Sequence, residues 1–284
     1  MCYDVYTGML KMMDEFHDMD LELVFKYSYD DDASKKLKDK YHIEKISGDR
    51  NTLSKSINLL RWLSGHTYHV GDYDGHIANN ALNLLEYSYD NGLKCGINCR
   101  SLSITLSECC LAVGLKARAV YLMPFSPYDH DNHVVCEVFV PENNKWIMLD
   151  PTYNGYITDE DGGIYGVLEL RHALANRTKL KFNPEFNYNG DYNIDFKDME
   201  AYYAKDLFYL KCKEIHTYDS EQLDGNRTIV FAPVGYDVKK SMLLNNEYRI
   251  GTDGSSEHLK NMKKSIEKDS LVYAGVDKLK EAPF

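Results

Sequence analysis

Apolar residues recur with a helical period along three segments in the first half of the chain. Residues 52–66 and 78–91 each place leucines and aromatic residues three or four positions apart, which predicts two amphipathic helices. A third helix is predicted over 99–113, because leucine, cysteine and valine follow the same spacing there. Asn98 is a favoured N-cap for it, and Gly114 is a favoured residue just past its end.

The period then changes to the alternation of β-strands. Residues 115–123 alternate between apolar and other residues, and residues 133–140 are rich in valine. Residues 145–150 follow the second of these segments after a polar turn at 141–144. The last two strands are therefore predicted to form an antiparallel hairpin. Helices followed by antiparallel strands indicate an α+β fold.

The two ends of the chain are less regular than the middle. We expect an N-terminal wrap over 1–50, a catalytic core over 51–183 and a C-terminal α/β extension over 184–284 that packs on the core. A helix is predicted to begin at 167 within the stretch 167–181. Further helices are predicted at 195–211, 238–249 and 256–268, and a strand at 228–234.

The composition of the chain limits the binding partners and the cellular compartment that we expect for it. A net charge of −11 makes the 284-residue chain a poor match for a phosphate backbone or an anionic membrane surface. No apolar run is long enough to span a membrane, and the first residues lack a secretory signal pattern. Seven clustered cysteines do not read as a disulfide framework, so we expect reduced thiols and a cytoplasmic protein.

Four of the seven cysteines lie within residues 92–115. Only Cys99 stands at the start of the predicted helix, where unpaired backbone N–H groups favour a thiolate. Cys109 and Cys110 lie further into the helix, and Cys95 precedes it. Cys99 is therefore the candidate nucleophile, whereas Cys109 is expected to pack in the core.

The predicted hairpin supplies the partners that a cysteine nucleophile needs. His133 begins its first strand and Asp150 ends its second, so the two residues are expected to lie nearly opposite each other. A histidine there can accept the thiol proton, and a carboxylate beside it can fix the orientation of the ring.

These residues and their neighbours resemble the transglutaminase-like superfamily of papain-type cysteine enzymes, over roughly residues 52–183. The matching segments are Asn98-Cys99-Arg100, Ala117-Arg118-Ala119-Val120, Asn132-His133-Val134-Val135-Cys136-Glu137-Val138, Trp146, Leu149-Asp150-Pro151-Thr152 and Leu168-Glu169-Leu170-Arg171. The chain departs from many members at Val134, where they carry an aromatic residue. The resemblance implies a core in which the nucleophile heads a central helix packed on an antiparallel sheet.

The resemblance also implies a catalytic triad and a thioester intermediate. Cys99 would be the nucleophile, His133 the base and then the acid, and Asp150 the orienting carboxylate. The oxyanion would be bound by the backbone N–H of the nucleophile and by one upstream donor. The candidates for that donor are Asn98, Tyr68 and Trp62.

The acceptor of the acyl group stays open at this stage. We favour amide formation with an amine, from an acyl donor that is a peptide, a protein or a carrier-tethered acyl group. Hydrolysis by the same triad, as in a peptidase or amidase, is the alternative, and a non-catalytic binding module on the same fold is another. No cofactor, metal, nucleic acid or membrane is expected to take part.

The histidines near the candidate nucleophile allow two other interpretations. His130 lies in the loop before His133 and is a second possible base. Cys95 and Cys99 with these two histidines have a spacing that zinc sites allow. Residues 66–76 hold three histidines and two aspartates but lack a helical ligand pair, so a polar loop is predicted there.

Overall fold

A computed structural model describes residues 2–17, 23–28, 32–254, 256–268 and 271–283. Helices pack around a six-stranded, mostly antiparallel sheet, which is the α+β class that the sequence predicts. The helices are α1 (Tyr3–Met12), α2 (Asp32–Tyr41), α3 (Ile43–Ser47), α4 (Thr52–His66), α5 (Ala81–Tyr87), α6 (Cys99–Ala112), α7 (Val167–Ala175), α8 (Phe196–Asp206), α9 (Val238–Asp253), α10 (Glu257–Lys268) and α11 (Asp277–Lys280).

The main sheet has the strand order β10-β9-β7-β2-β3-β4, and only its β10–β9 pair is parallel. Two short pairs lie outside it, β1 with β8 and β5 with β6. The strands are β1 (Lys26–Tyr27), β2 (Ala117–Met123), β3 (His133–Val140), β4 (Lys145–Leu149), β5 (Ile157–Thr158), β6 (Lys181–Phe182), β7 (Tyr209–Lys213), β8 (Ile215–His216), β9 (Thr228–Phe231) and β10 (Val272–Tyr273).

Both faces of the sheet are covered, which is why β3 is buried along its whole length. On one face, α4, α5 and α6 pack against side chains such as Cys136 and Val138. On the other face, α7 and α8 pack against neighbours such as Val135 and Met148. Successive side chains of β3 thus point to opposite faces of the sheet and belong to two separate hydrophobic clusters, as the two-residue period of a strand requires.

Helix α6 crosses the centre of the molecule and is buried from Ser101 to Ala112. It packs on β2 and β3, and its apolar side chains share a cluster with α4 and α5. A helix buried on all sides is held rigidly, so its first residue has a fixed position relative to the sheet. That first residue is Cys99.

Several predicted elements differ from the structure at their ends. The helix predicted over 78–91 is limited to α5, since Asn80 caps it and the chain turns after Tyr87. The helix predicted over 195–211 is wrong in its last part, because α8 ends at Asp206 and β7 begins at Tyr209.

Residues beyond 183 add three strands to the same sheet. β7 pairs with β2, β9 pairs with β7, and β10 pairs with β9. The C-terminal region therefore continues the sheet that carries the candidate residues. Within the ranges that the structure describes, no helix has the length and apolar character needed to cross a membrane.

Candidate active site

Cys99 is the first residue of α6 because Asn98 caps the N-terminus of that helix. The Asn98 backbone is extended, and its side-chain Oδ1 accepts a hydrogen bond from the Ser101 backbone N–H at 3.0 Å. This cap satisfies one of the backbone donors that a helix start leaves unpaired. The remaining donors and the helix dipole favour negative charge on the half-buried Cys99 sulfur.

His133 and Asp150 come together at the open end of the β3–β4 hairpin. His133 Nε2 lies 2.6 Å from Asp150 Oδ2, and both side chains are buried. The prediction that the two residues lie nearly opposite each other is wrong by two positions. Cys136 pairs with Leu149, so the register places Asp150 beside Val135 rather than beside His133. Residues two apart share a face of the sheet, which is why the side chains still meet.

Asp150 is held by two donors besides the histidine. Tyr203 on α8 donates its hydroxyl to Oδ2 at 2.6 Å, and the Thr152 backbone N–H donates to Oδ1 at 2.9 Å. Burial opposes the charge most strongly, but His133 and these two donors keep the pKa of Asp150 below its ordinary value. The carboxylate therefore stays ionised at neutral pH and fixes the ring of His133 through Nε2.

The bond to Asp150 leaves Nδ1 as the His133 nitrogen available to the Cys99 thiol. Burial alone would lower the pKa of His133, but the Asp150 charge and the hydrogen bonds to Asp150 and Cys99 raise it well above its ordinary value. A histidine that keeps its proton beside a thiol stabilises the thiolate. Cys99, His133 and Asp150 are thus connected in the order that a thiolate–imidazolium pair needs.

A second histidine, His69, adjoins Cys99 from the loop after α4. Burial raises the pKa of Cys99, yet the neighbouring imidazoles of His133 and His69 lower it to about 6. His69 Nε2 is buried and forms no conventional hydrogen bond within the described residues, although its ring lies close enough to affect the thiol. Two imidazoles therefore adjoin the sulfur.

The position of His69 is fixed by residues far along the chain. Its Nδ1 lies 2.9 Å from the Tyr188 hydroxyl, and its backbone exchanges two hydrogen bonds with the Asn189 side chain at 2.8 and 3.0 Å. The same stretch pairs with Ile97, two residues before the nucleophile. Sequence analysis missed His69 as a site residue; its only signal is the histidine-rich stretch 66–76, for which the sequence predicts a polar loop rather than a metal site.

Tyrosine rings surround the histidine. The ring centroids of Tyr202, Tyr153 and Tyr203 lie 5.5, 6.0 and 6.0 Å from that of His133. Burial raises the pKa of all three hydroxyls, so they remain neutral. His133 is only 1% exposed as a result, and its ion pair with Asp150 is shielded from bulk water.

The three candidate oxyanion donors lie in different surroundings. Asn98 uses Oδ1 as the helix cap, and its Nδ2 faces the Tyr73 carbonyl at 3.5 Å. The ring of Trp62, which belongs to α4, packs against the rings of Tyr41 and Tyr89. Tyr68 accepts a backbone hydrogen bond from Ile97 through its carbonyl oxygen.

The histidines of the rival interpretations contact different residues. His130 is exposed, stacks on Tyr248 and lies 3.3 Å from the Asn245 amide. His66 contacts the Trp62 carbonyl, and His76 contacts Asp74. Among the described residues, no three His, Cys, Asp or Glu side chains form a group suited to a metal ion.

Comparisons with known proteins give little information about this site. No protein-family model matches the chain, and no curated protein matches it. A solved structure described as "a Putative Cysteine Protease from Cytophaga hutchinsonii" is similar, with 17% identity and a TM-score of 0.35. The similarity covers 60% of this chain and 57% of that chain, which is less than two thirds of its length. At that level it adds no argument about activity.

Proposed function

We propose that the protein is a cysteine-dependent acyltransferase that forms a thioester on Cys99. One observation carries the proposal: Cys99 at a helix N-terminus faces a buried histidine that is bonded to a buried carboxylate at 2.6 Å. A surface or purely structural cysteine needs neither partner. The lowered pKa of the thiol, about 6, supports the same conclusion, because the thiolate is the nucleophilic form.

The reaction follows from the protonation states of the pair. The Cys99 thiolate attacks the acyl carbon, and the carbonyl π electrons move to oxygen. When the tetrahedral intermediate collapses, the bond to the leaving group breaks and His133 gives that group its Nδ1 proton. The neutral His133 then takes a proton from the acceptor, which attacks the thioester and releases the thiolate. Asp150 keeps the ring oriented throughout.

We favour an amine as the acceptor, which gives an amide product. The support is the tyrosine cover over His133, which leaves the ring 1% exposed. A base shielded from bulk water activates water less readily than it activates an acceptor that binds in the site. Hydrolysis by the same residues is the alternative outcome of the test.

His69 is proposed to stabilise the thiolate together with His133. The Tyr188 hydroxyl can donate to Nδ1, which places the remaining proton on the buried Nε2, where it is available to the sulfur. A buried N–H that lacks another acceptor is a strong donor to a developing negative charge. His69 thus helps to keep the thiol ionised before substrate binds.

The proposal is tested by the release of p-nitrophenol from p-nitrophenyl acetate. The wild-type protein should give a burst of about one equivalent as the thioester forms. Cys99→Ala should abolish the burst, and His133→Ala and Asp150→Asn should slow it by at least about 100-fold. Cys95→Ala, a half-buried cysteine of the same segment, is the matched control and should retain it. A burst that survives in Cys99→Ala would overturn the proposal.

A further inference from the structure

A cavity of about 180 Å³ lies between the loop that precedes His133, strand β7 and helices α9 and α10. We call it the α9 pocket. Its apolar wall consists of Met123, Met242, Met262 and Ile266, and its basic wall consists of Lys211 and Arg249. Asn132 also lines it, and the Asn132 carbonyl oxygen lies 3.9 Å from the Cys99 sulfur. Asn132 therefore connects the pocket lining to the nucleophile.

Lys211 brings a cation without a carboxylate partner to this pocket. Its ammonium lies 5.7 Å from the centre of the Tyr121 ring and makes no ion pair or hydrogen bond with any described residue. Burial and the nearby Arg100 lower the pKa of Lys211 to about 8. A half-buried ammonium in this position is stabilised by any anion that enters the pocket.

The acidic groups near the pocket are already paired. Glu221 pairs with Arg100 beside the nucleophile. Its charge also raises the pKa of Lys211, but burial and Arg100 outweigh it, and no hydrogen bond joins Glu221 to the Lys211 ammonium. On the other side, Asp129 lies 3.2 Å from the Lys205 ammonium. Arg249 has only a long contact with Asp253, at 3.7 Å through Nε, and so keeps its other donors. The charge left on the pocket wall is positive.

The pocket wall is held in place by hydrogen bonds from the α9 side. Asn245 donates to the Pro127 carbonyl at 2.8 Å, and Tyr236 donates to the Phe125 carbonyl at 2.6 Å. These bonds fix the 124–132 loop that leads into His133. A wall that is fixed before binding costs little additional ordering when a ligand enters.

We propose that the α9 pocket binds an anionic group of the substrate, so the substrate is a short aliphatic chain that carries a carboxylate or phosphate a few atoms from the carbon that Cys99 attacks. Lys211 and Arg249 would bind the anion, and the methionine-rich wall would pack against the chain. The inference rests on the proposed function, since it needs Cys99 to be the reacting group. It adds the class of substrate, which the catalytic residues alone do not define.

The test uses thiol reagents whose tails differ only in charge. N-iodoacetyl derivatives of glycine, β-alanine and 4-aminobutyrate are compared with their neutral carboxamides, and labelling of Cys99 is followed by peptide mapping at pH 6.5. Wild-type protein should react about tenfold faster with the acid at the best chain length than with its amide. Lys211→Met and Arg249→Gln should each reduce that ratio several-fold, and added salt should weaken it.

Two further variants make the test specific. Lys211→Arg keeps the charge and should retain most of the ratio. Lys197→Met removes an equal charge from the exposed face of α8, outside the pocket lining, and should leave the ratio unchanged. Equal labelling by acids and amides, with Cys99 still reactive towards iodoacetamide, would overturn the anion pocket and leave the proposed function intact. A Cys99 that no reagent labels would overturn the proposed function itself.

Discussion

Replacing His69 with leucine removes one of the two imidazoles that face the Cys99 sulfur. Lowering a thiol pKa from its ordinary 9.0 to about 6 corresponds to about 4 kcal/mol in favour of the thiolate. A hydrogen bond to a charged group contributes about 1.5–3 kcal/mol of such a preference. His69→Leu should therefore raise the pKa of Cys99 and slow alkylation at pH 6.5 by about tenfold.

The assay is the rate of iodoacetamide labelling of Cys99 between pH 5 and pH 10. In the wild-type protein the rate should rise as pH increases through about 6, and in His69→Leu the rise should move to higher pH. His69→Gln keeps a side-chain N–H donor and should recover part of the shift. Tyr188→Phe, which removes the partner of Nδ1, should shift the profile less than His69→Leu does. An unchanged profile in a folded His69→Leu protein would refute the reasoning.

The remaining predictions concern stability and its dependence on pH. Tyr203→Phe removes a donor to the ionised Asp150, so urea unfolding at pH 7 should show a loss of about 2 kcal/mol. The stability that the lowered pKa of Asp150 provides is present at neutral pH and lost as pH falls, and in Tyr203→Phe it should be lost at a higher pH than in the wild type. Asn98→Ala should lower the free energy of unfolding by about 1 kcal/mol, and Asn98→Asp should restore it, since either cap oxygen can accept the helix N–H. Arg118→Met should lower the free energy of unfolding by about 3–5 kcal/mol, because it leaves the buried Glu137 carboxylate without its cation. The double variant Arg118→Met with Glu137→Leu should recover most of that loss in thermal unfolding. Equal losses of stability in the single and the double variant would contradict this account.

The elements nearest the candidate site are those that the sequence predicts best. α4, α6 and β3 are long and strongly periodic, and the structure gives them bounds within a residue or two of those predicted. Their local patterns are sufficient because each element buries one well-defined face or is buried throughout. The same patterns bring Cys99 to a helix start and His133 to the beginning of a strand.

Local sequence patterns do not predict features that depend on contacts between residues far apart in the chain. The chain from Tyr209 to Lys213 follows α8 after a short break, and its identity as a strand comes from pairing with β2 and β9. The role of His69 depends on Tyr188 and Asn189, which lie more than a hundred residues away. Lys211 likewise reaches the α9 pocket only because β7 lies between β2 and β9.

The central claim is that Cys99 carries an acyl group during the reaction. Intact-mass measurement after mixing with a series of acyl thioesters, with and without added amines, followed by peptide mapping, tests this most directly. The account predicts an acyl adduct on Cys99 that disappears when an amine is added, with formation of the amide. An adduct that only water removes would make the protein a hydrolase. Absence of any adduct, or an adduct that maps to another cysteine, would contradict the account.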